Sequence, residues 1–134
     1  MILKTNGNVL IRDASRNDEI IVTAERLTTI ANAAHDIESA VSQLDDSTDD
    51  VKYMHHVGDS WYVLVTSGYR CVNIRRFYKS KGVLRPKKEG VVLRLPEWAI
   101  LHAFLQTIDG ENQKLYRLNE HEQFKQNNSS IDDF

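Results

Sequence analysis

Apolar and polar residues alternate along six short segments of the chain, and this period of two is typical of β-strands with one buried face. Two of these predicted strands lie near the N-terminus, at residues 9–12 and 20–23. Four more are predicted at residues 51–57, 61–66, 70–78 and 90–93. Short glycine-containing turns separate the first three of the later strands, whereas a long polar connection at residues 79–89 precedes the last one.

The spacing of apolar residues changes to three and four in two other segments, which predicts amphipathic helices. The first helix is predicted at residues 24–44, with Thr23 as its cap. Its apolar stripe consists of Leu27, Ile30, Ala34, Ile37, Val41 and Leu44. The second helix is predicted to begin at Pro96, a residue type favoured in a first helical turn, and to end at Asp109 and Gly110. Its apolar face consists of Trp98, Leu101, Leu105 and Ile108.

This order of elements predicts an α+β fold, in which an antiparallel, curved four-stranded sheet is followed by a helix (ββββα) and preceded by an N-terminal strand-strand-helix (ββα) unit. The acidic run DDSTDD at residues 45–50 is predicted to be a solvated linker, because it lacks the glycine and the distal glutamate of a calcium-binding loop. We therefore expect an N-terminal unit at residues 1–48, a ββββα domain at residues 49–110 and a flexible acidic tail at residues 111–134.

The two predicted units are similar to each other in sequence. VLIR at residues 9–12 parallels VNIR at residues 72–75, and IIVTAERLTTI from Ile20 parallels VVLRLPEWAIL from Val91. This alignment places Leu27 opposite Trp98. Duplication and chance convergence of two strand-strand-helix segments are both compatible with the similarity.

Charge is distributed unevenly along the chain, although the formal net charge is only −2. Residues 61–95 contain nine basic side chains and one acidic side chain, Glu89, whereas the flanking segments are acidic. The nine basic residues are Arg70, Arg75, Arg76, Lys79, Lys81, Arg85, Lys87, Lys88 and Arg94. Such segregation predicts a surface that binds a polyanion.

Aromatic residues are interleaved with these cations. They are Trp61, Tyr62, Tyr69, Phe77 and Tyr78. Cations that contact phosphates and rings that stack on unpaired bases are what a single-stranded nucleic acid requires, so single-stranded DNA is the predicted partner. RNA is also compatible, because no recognisable contact reports a 2′-hydroxyl. Trp61 and Trp98 are predicted to be core residues.

Strand alternation predicts different environments for the rings of the 70–78 strand. Val72 and Ile74 lie on one face, and Arg75 and Phe77 lie on the other. The same alternation directs Tyr78 toward the core unless a bulge or the strand end releases it. Packing of both Phe77 and Tyr78 in the core is therefore an open alternative.

Residues 53–108 resemble the DNA-binding domain of the transcriptional coactivator family called positive cofactor four. The shared pattern is a V-x-I-R-x-aromatic-aromatic strand, a basic segment with proline and K-x-G, and a strand that leads into a tryptophan-bearing helix. In this chain the pattern is formed by Val72, Ile74, Arg75, Phe77 and Tyr78, by Pro86, Lys87, Lys88 and Gly90, and by Leu93, Glu97, Trp98 and Leu101.

The resemblance implies a dimer formed through helices and a single strand bound across a curved sheet. It also implies stacking rings at Tyr78 and Tyr69. The implied phosphate contacts are Arg70, Arg75, Lys87 and Lys88. The turn at residues 67–69 is shorter than the turn in the family, and the N-terminal unit has no counterpart in its simplest members.

The C-terminal end of the chain is polar and acidic and finishes with Ile131, Asp132, Asp133 and Phe134. This tip resembles the C-terminal tip of bacterial and phage single-stranded-DNA-binding proteins. The resemblance implies that the tip recruits replication and repair enzymes. A tail that only increases solubility is the alternative.

Catalysis and metal binding find little support in the sequence. The basic segment contains one carboxylate, Glu89, whereas a metal-dependent nuclease needs several. His55 and His56 are adjacent on a predicted strand and therefore point to opposite faces. The single cysteine, Cys71, is expected to be a buried thiol in a reducing compartment. We predict no catalytic residue, no cofactor and no metal.

The chain contains no apolar run of the length of about 18 residues that a membrane span needs. We expect an intracellular protein in the cytoplasm of a bacterium or of a phage-infected host, or in the nucleus of a eukaryote.

The sequence therefore predicts a sequence-tolerant single-stranded-DNA-binding protein of replication, recombination or repair. A transcription coactivator that uses the same groove is the alternative. The predicted nucleic-acid contacts are Tyr69, Arg70, Arg75, Arg76, Phe77, Tyr78, Lys79, Lys81, Arg85, Lys87, Lys88 and Arg94. The predicted protein partners are a second copy of the chain, bound through the helices, and the enzymes recruited by residues 131–134.

Overall fold

The computed structural model describes the backbone of residues 1–5, 7–46 and 50–121, and the side chains of residues 1–4, 7–45 and 50–108. Within these ranges the protein has an α+β fold with two antiparallel sheets. The first sheet has the order β1-β2-β3, formed by Ile2–Thr5, Asn8–Arg12 and Glu19–Val22. Two helices follow, α1 at Ala24–Asn32 and α2 at Ala34–Asp46.

The second sheet has the order β4-β5-β6-β7 and is followed by a helix, as predicted. Its strands are Lys52–His56, Trp61–Thr66, Cys71–Ser80 and Val83–Arg94. The helix α3 is formed by Leu95–His121. Glu97 accepts a hydrogen bond from the backbone N–H of Arg94 at 3.1 Å, which is the glutamate half of a capping box at the start of α3.

The N-terminal unit differs from the prediction in two respects. It has a third strand, β1, which pairs with β2 through Ile2 and Ile11 and is too short to display a clear alternation. The predicted helix at residues 24–44 is interrupted at Ala33, although the whole predicted stripe from Leu27 to Leu44 packs in or against the core. The break allows α1 to pack against α3 while α2 packs against β4 and β5.

The prediction of a long polar connection at residues 79–89 was wrong, because these residues belong to β6, β7 and the turn between them. Strands β6 and β7 continue beyond the rest of the sheet as a two-stranded arm, closed by the turn residues Lys81 and Gly82. Both turn residues have positive φ angles, 53° and 79°, which is the backbone that a two-residue hairpin turn requires. Lysine is an unusual residue in this position, so the sequence did not indicate the turn.

The predicted end of the last helix was also wrong, because α3 continues through Asp109 and Gly110 to His121. A glycine inside a helix costs about 1 kcal/mol relative to alanine, which weakens a helix without ending it. Residues 111–121 of the predicted tail are therefore helical in backbone. Residues 122–134, including the predicted partner-binding tip, lie outside the described residues.

One hydrophobic core joins the two sheets and the helices. Val9 and Ile11 from the first sheet and Val63 and Ile74 from the second are fully or almost fully buried in the same cluster. Trp98 is buried as predicted, and its indole N–H donates to Glu38 at 2.8 Å. The apolar faces of α1 and α3 are thus packed within a single chain.

The two units have the same strand register. Ile11 pairs with Ile20 in the first sheet, and Ile74 pairs with Val91 in the second. In both units the helix begins two residues after the last buried residue of the preceding strand, Val22 or Leu93. The sequence similarity between the units therefore corresponds to equivalent positions in the two sheets.

Candidate nucleic-acid interface

The face of the second sheet that points away from the helices carries a continuous groove, which we call the outer groove. Its basic section encloses about 680 Å³ and is lined by Arg16, Asp18, Leu64, Asn73, Arg75, Phe77, Pro86, Lys87 and Lys88. Its neutral section encloses about 390 Å³ and is lined by Arg16, Leu64, Thr66, Tyr69, Cys71, Asn73 and Val92. The two sections share Arg16, Leu64 and Asn73, so they form one path across the sheet.

Arg75 lines the basic section and is held in place by three hydrogen-bond acceptors. Its Nε donates to Asn73 Oδ1 at 3.1 Å, and its Nη1 donates to the carbonyl oxygens of Lys87 and Lys88, each at 2.9 Å. Burial lowers the pKa of Arg75, and the nearby Arg16 lowers it further. An arginine retains its charge despite such a decrease, so the groove presents a fixed cation.

Gly90 makes the position of Arg75 possible. A Cβ atom at residue 90 would lie 2.8 Å from the carbonyl oxygen of Ile74 and 2.9 Å from Cβ and Cζ of Arg75. The arginine side chain therefore crosses the strand where Gly90 leaves space. The register also shifts here, because Arg75 pairs with Gly90 whereas Phe77 pairs with Pro86. This bulge exposes the two carbonyl groups that Arg75 binds.

An aromatic row reaches the groove at Phe77, which lines the basic section. Phe77 meets Tyr62 edge to face with ring centroids 5.3 Å apart, and Tyr62 packs against His56 at 4.8 Å. Phe77 is 9% exposed but does not belong to the core cluster. It therefore lines the groove, as the alternation predicted, while its ring is largely covered. The arrangement also places His56 away from His55, which stacks on Tyr53.

Two predicted stacking residues are accessible. Tyr69 is 68% exposed at the end of the neutral section, and Tyr78 is 46% exposed on the β6-β7 arm. The alternative in which both Phe77 and Tyr78 pack in the core is therefore wrong for Tyr78, whereas Phe77 is buried. Alternation along β6 places Tyr78 on the face opposite Phe77, so Tyr78 points away from the outer groove.

The remaining predicted contacts fall into three groups. Lys79, Lys81 and Arg85 are exposed on the arm. Arg94 is exposed and is the cross-strand partner of Cys71, a residue of the neutral section. Arg70 and Arg76 interact with other groups. Arg70 forms an ion pair with Asp45 of α2, and Arg76 lies over the ring of Trp61 and near Glu89.

Trp61 is buried, as predicted, and lines a second pocket on the other side of the sheet. The guanidinium groups of Arg26 and Arg76 lie 5.7 and 5.5 Å from its ring centroid. Asp59 binds Arg26 at 2.6 Å, and Glu89 lies 3.6 Å from Arg76. Arg76 is therefore engaged in a neutralised cluster and not in the outer groove.

The prediction missed Arg16, which comes from the N-terminal unit. The loop between β2 and β3 is anchored by Asp13, a fully buried carboxylate. Its Oδ1 accepts from the N–H groups of Arg16 at 2.9 Å and Asp18 at 3.3 Å, and its Oδ2 accepts from Val92 of β7 at 2.9 Å. Burial raises the pKa of Asp13, but the backbone donors outweigh this effect and lower it below the ordinary value.

Glu97 provides a second anchor for the same loop, because its Oε2 accepts from the N–H of Ala14 at 2.7 Å. The loop is thus tied to both β7 and α3. A sequence pattern could indicate the turn at residues 13–19 but not its docking on a strand that follows about 75 residues later, since long-range contacts leave no local signal.

Cys71 is half-buried in the neutral section, and burial raises the pKa of its thiol. Among the described side chains, no group of three or more His, Cys, Asp or Glu residues has a metal-binding arrangement. Within the described part of the chain, no helix combines the length and the apolar character needed to cross a bilayer.

Comparison with known proteins gives no relative for this chain: no family model matches it, and no curated protein or solved structure is significantly similar to it.

Proposed function

We propose that this protein binds single-stranded DNA in the outer groove, with little preference for sequence, and acts in replication, recombination or repair. The observation that carries the proposal is the continuity of the groove, which joins fixed and exposed cations to an apolar floor and an accessible ring, Tyr69. Among the side chains that the structure describes, Arg16, Arg75, Lys87 and Lys88 line the groove, against one carboxylate, Asp18.

The composition of the groove favours a single strand over a duplex. Leu64 and Val92 supply an apolar floor, and Tyr69 supplies an exposed ring at one end. A single strand can place unpaired bases on such surfaces, and each stacked base contributes about 1–3 kcal/mol. A duplex keeps its bases stacked internally and presents only phosphates and groove edges to such a surface.

The experiment is fluorescence anisotropy with an oligo-dT strand, a DNA duplex of equal length and an RNA strand, each over a salt series. If about four phosphates are neutralised, affinity for oligo-dT falls roughly fifty-fold between about 50 and 200 mM salt. The expected result is tighter binding to the single strand than to the duplex at every salt concentration. Equal affinity for both would contradict the stacking mechanism, and the RNA arm measures the contribution of the sugar.

Association with a second copy stays part of the proposal. The apolar faces of α1 and α3 are used within the chain, so a dimer through helices would use the other side of α3, where Ile100 is 64% exposed. We expect light scattering to give twice the mass of one chain, and we expect Ile100→Glu to halve it. A wild-type mass equal to one chain would contradict the dimer, but it would not bear on DNA binding in the groove.

Recruitment of replication and repair enzymes by Ile131, Asp132, Asp133 and Phe134 is proposed from the sequence alone. Deletion of these four residues distinguishes the proposal from the coactivator alternative. We expect the deletion to abolish capture of such enzymes while DNA affinity is retained or increased. Unchanged capture would contradict a recruiting role for the tip.

A further inference from the structure

Arg16 is the charged side chain that both sections of the outer groove share. It reaches the groove from the N-terminal unit, because Asp13 and Glu97 fix the loop that carries it. The loop backbone is therefore set before any ligand binds. Its side chain is 59% exposed and can change partner without any change in the fold.

Two cations from different units face the basic section of the groove: Arg16 comes from the N-terminal unit and Arg75 from the second sheet. Arg75 is committed through Nε and Nη1 to Asn73 and to the bulge carbonyls. Among the described contacts, no bond uses its Nη2. An anion with several acceptor oxygens placed between the two guanidinium groups would relieve their mutual repulsion and satisfy unused donors.

Asp18 lies next to this position and competes for Arg16. The distance from Arg16 Nε to Asp18 Oδ2 is 3.8 Å, which is beyond a hydrogen bond, and both side chains are substantially exposed. An exposed ion pair with this geometry contributes little to stability. A phosphate that accepts a direct hydrogen bond from Arg16 would therefore displace Asp18 readily.

We propose that Arg16 and Arg75 form a phosphate-binding site assembled from both units of the chain, and that Asp18 holds Arg16 until a phosphodiester of the bound strand replaces it. The inference rests on the proposed function, since the strand supplies the phosphate. It assigns the N-terminal unit a direct part in binding: the unit completes the groove and limits its affinity through one carboxylate.

The test compares Arg16→Ala with Arg12→Ala, a matched change in the same unit. Arg12 is paired with Glu19 at 2.5 Å on the outer face of the first sheet and does not line the groove. We expect Arg16→Ala to weaken oligo-dT binding roughly ten-fold and to reduce the slope of log affinity against log salt by about 0.7, the value for one phosphate contact on a single strand. Arg12→Ala should leave both quantities unchanged. Equal effects of the two variants would overturn the assignment of Arg16.

The competing role of Asp18 has a separate test, because Asp18→Asn should strengthen binding. We expect a gain of roughly two- to five-fold, since a like charge is removed and Arg16 is released. Most of this gain should disappear in the Arg16→Ala background, because Asp18 acts mainly through Arg16. A gain of the same size in both backgrounds would show that Asp18 repels the strand directly, and it would overturn the competition.

A readout without DNA separates this inference from the proposed function. Titration with inorganic phosphate, followed by NMR of the arginine Nε–H groups, should shift the signals of Arg16 and Arg75 together and leave that of Arg12 in place. If these signals shift but the protein fails to bind oligo-dT, the phosphate site stands and the proposed function is wrong. If the protein binds oligo-dT but Arg16→Ala has no effect, the proposed function stands and the phosphate site is wrong.

Discussion

The two sheets present equivalent arginines in opposite electrostatic settings. Arg12 and Arg75 occupy the same position in the shared register, one residue after the buried Ile11 and Ile74. Glu19 is the cross-strand partner of Arg12 and accepts from its Nε at 2.9 Å. The cross-strand partner of Arg75 is Gly90. The first arginine is neutralised, whereas the second lies over a glycine and keeps its charge available to a ligand.

The rows beside these arginines differ in the same way. In the first sheet, Leu3, Leu10 and Ile21 form an apolar row on the outer face, with Leu3 48% and Ile21 61% exposed. The equivalent row of the second sheet is Leu64, Asn73 and Val92, all of them groove residues. One backbone plan thus supports two different outer faces, and the cross-strand partner decides whether the arginine on each face is neutralised.

Giving the second sheet the acid of the first should have the largest effect. Gly90→Glu introduces a carboxylate beside Arg75 and a Cβ that lies too close to Ile74 and Arg75. We expect affinity for oligo-dT to fall more than about 100-fold, and the free energy of unfolding to fall by about 1–3 kcal/mol. Anisotropy and chemical denaturation measure the two effects.

The matched control is Gly82→Asn in the turn of the arm. Gly82 has a φ of 79° with open space around it, and asparagine tolerates this backbone better than most residues. Stability and affinity should change little. An equal loss in both variants would show that the arm, and not the position of Arg75, controls binding.

Arginine truncation should separate the two sheets next most clearly. Arg75→Ala removes the proposed phosphate contact and leaves the carbonyls of Lys87 and Lys88 without their donor. We expect oligo-dT affinity to fall about 10- to 100-fold. Arg75→Lys should recover part of the loss, because lysine keeps the charge but not the planar donor geometry. Full recovery by lysine would reduce the role of Arg75 to charge alone.

Ring removal at the end of the neutral section should weaken binding without changing its salt dependence. Tyr69→Ala should cost about 1–3 kcal/mol in binding, because a stacked base loses its platform. The slope of log affinity against log salt should stay constant, since no cation is removed. Ile21→Ala, at a similarly exposed position in the first sheet, is the control and should have no effect on affinity. A changed slope for Tyr69→Ala would contradict a role limited to stacking.

The connection between the two units should depend on pH. The pKa of Asp13 is lowered in the folded protein, so its contribution to stability is complete above the unfolded value of about 3.9 and is lost as the pH falls below it. Asp13→Asn should reduce the free energy of unfolding at neutral pH by about 1–3 kcal/mol, because donors of the loop and of β7 lose an acceptor. It should also flatten the decrease toward low pH. The same acid sensitivity in wild type and variant would contradict this account.

Weakening the ion pair of the first sheet should have the smallest effect. Arg12 and Glu19 are both about half exposed, and such pairs contribute about 0–1 kcal/mol. Glu19→Gln should therefore leave stability nearly unchanged, and it should raise oligo-dT affinity only slightly by freeing Arg12 far from the groove. A gain comparable to that of Asp18→Asn would indicate that the strand also crosses the first sheet.

Local signals predicted much of this fold. The alternation at residues 61–66 coincides with β5, and the apolar faces that were predicted for the helices are buried in the core. Features set by long-range contacts or by unusual turn residues were missed. Neither the break at Ala33 nor the hairpin turn at Lys81 has a typical sequence signature, because packing of α1 and α2 on different partners and pairing of β6 with β7 determine them.

The candidate site shows the same division. Arg75, Lys87 and Lys88 follow from the strand pattern and the resemblance, and the structure places them together. Arg70 was predicted as a contact from the resemblance and Arg76 from charge alone, but their acidic partners Asp45 and Glu89 are visible only in three dimensions. Arg16 was missed because its position depends on a long-range contact. Its loop docks through the buried Asp13, which accepts a hydrogen bond from Val92 of the second sheet.

We propose that the outer face of the second sheet, and not that of the first, binds the strand. A backbone amide NMR titration with oligo-dT distinguishes the two faces. We expect shifts at Leu64, Asn73 and Phe77 and in the loop of Arg16, with Leu3, Leu10 and Ile21 unchanged. Shifts concentrated on the first sheet or around Trp61, with the outer groove unaffected, would contradict this proposal.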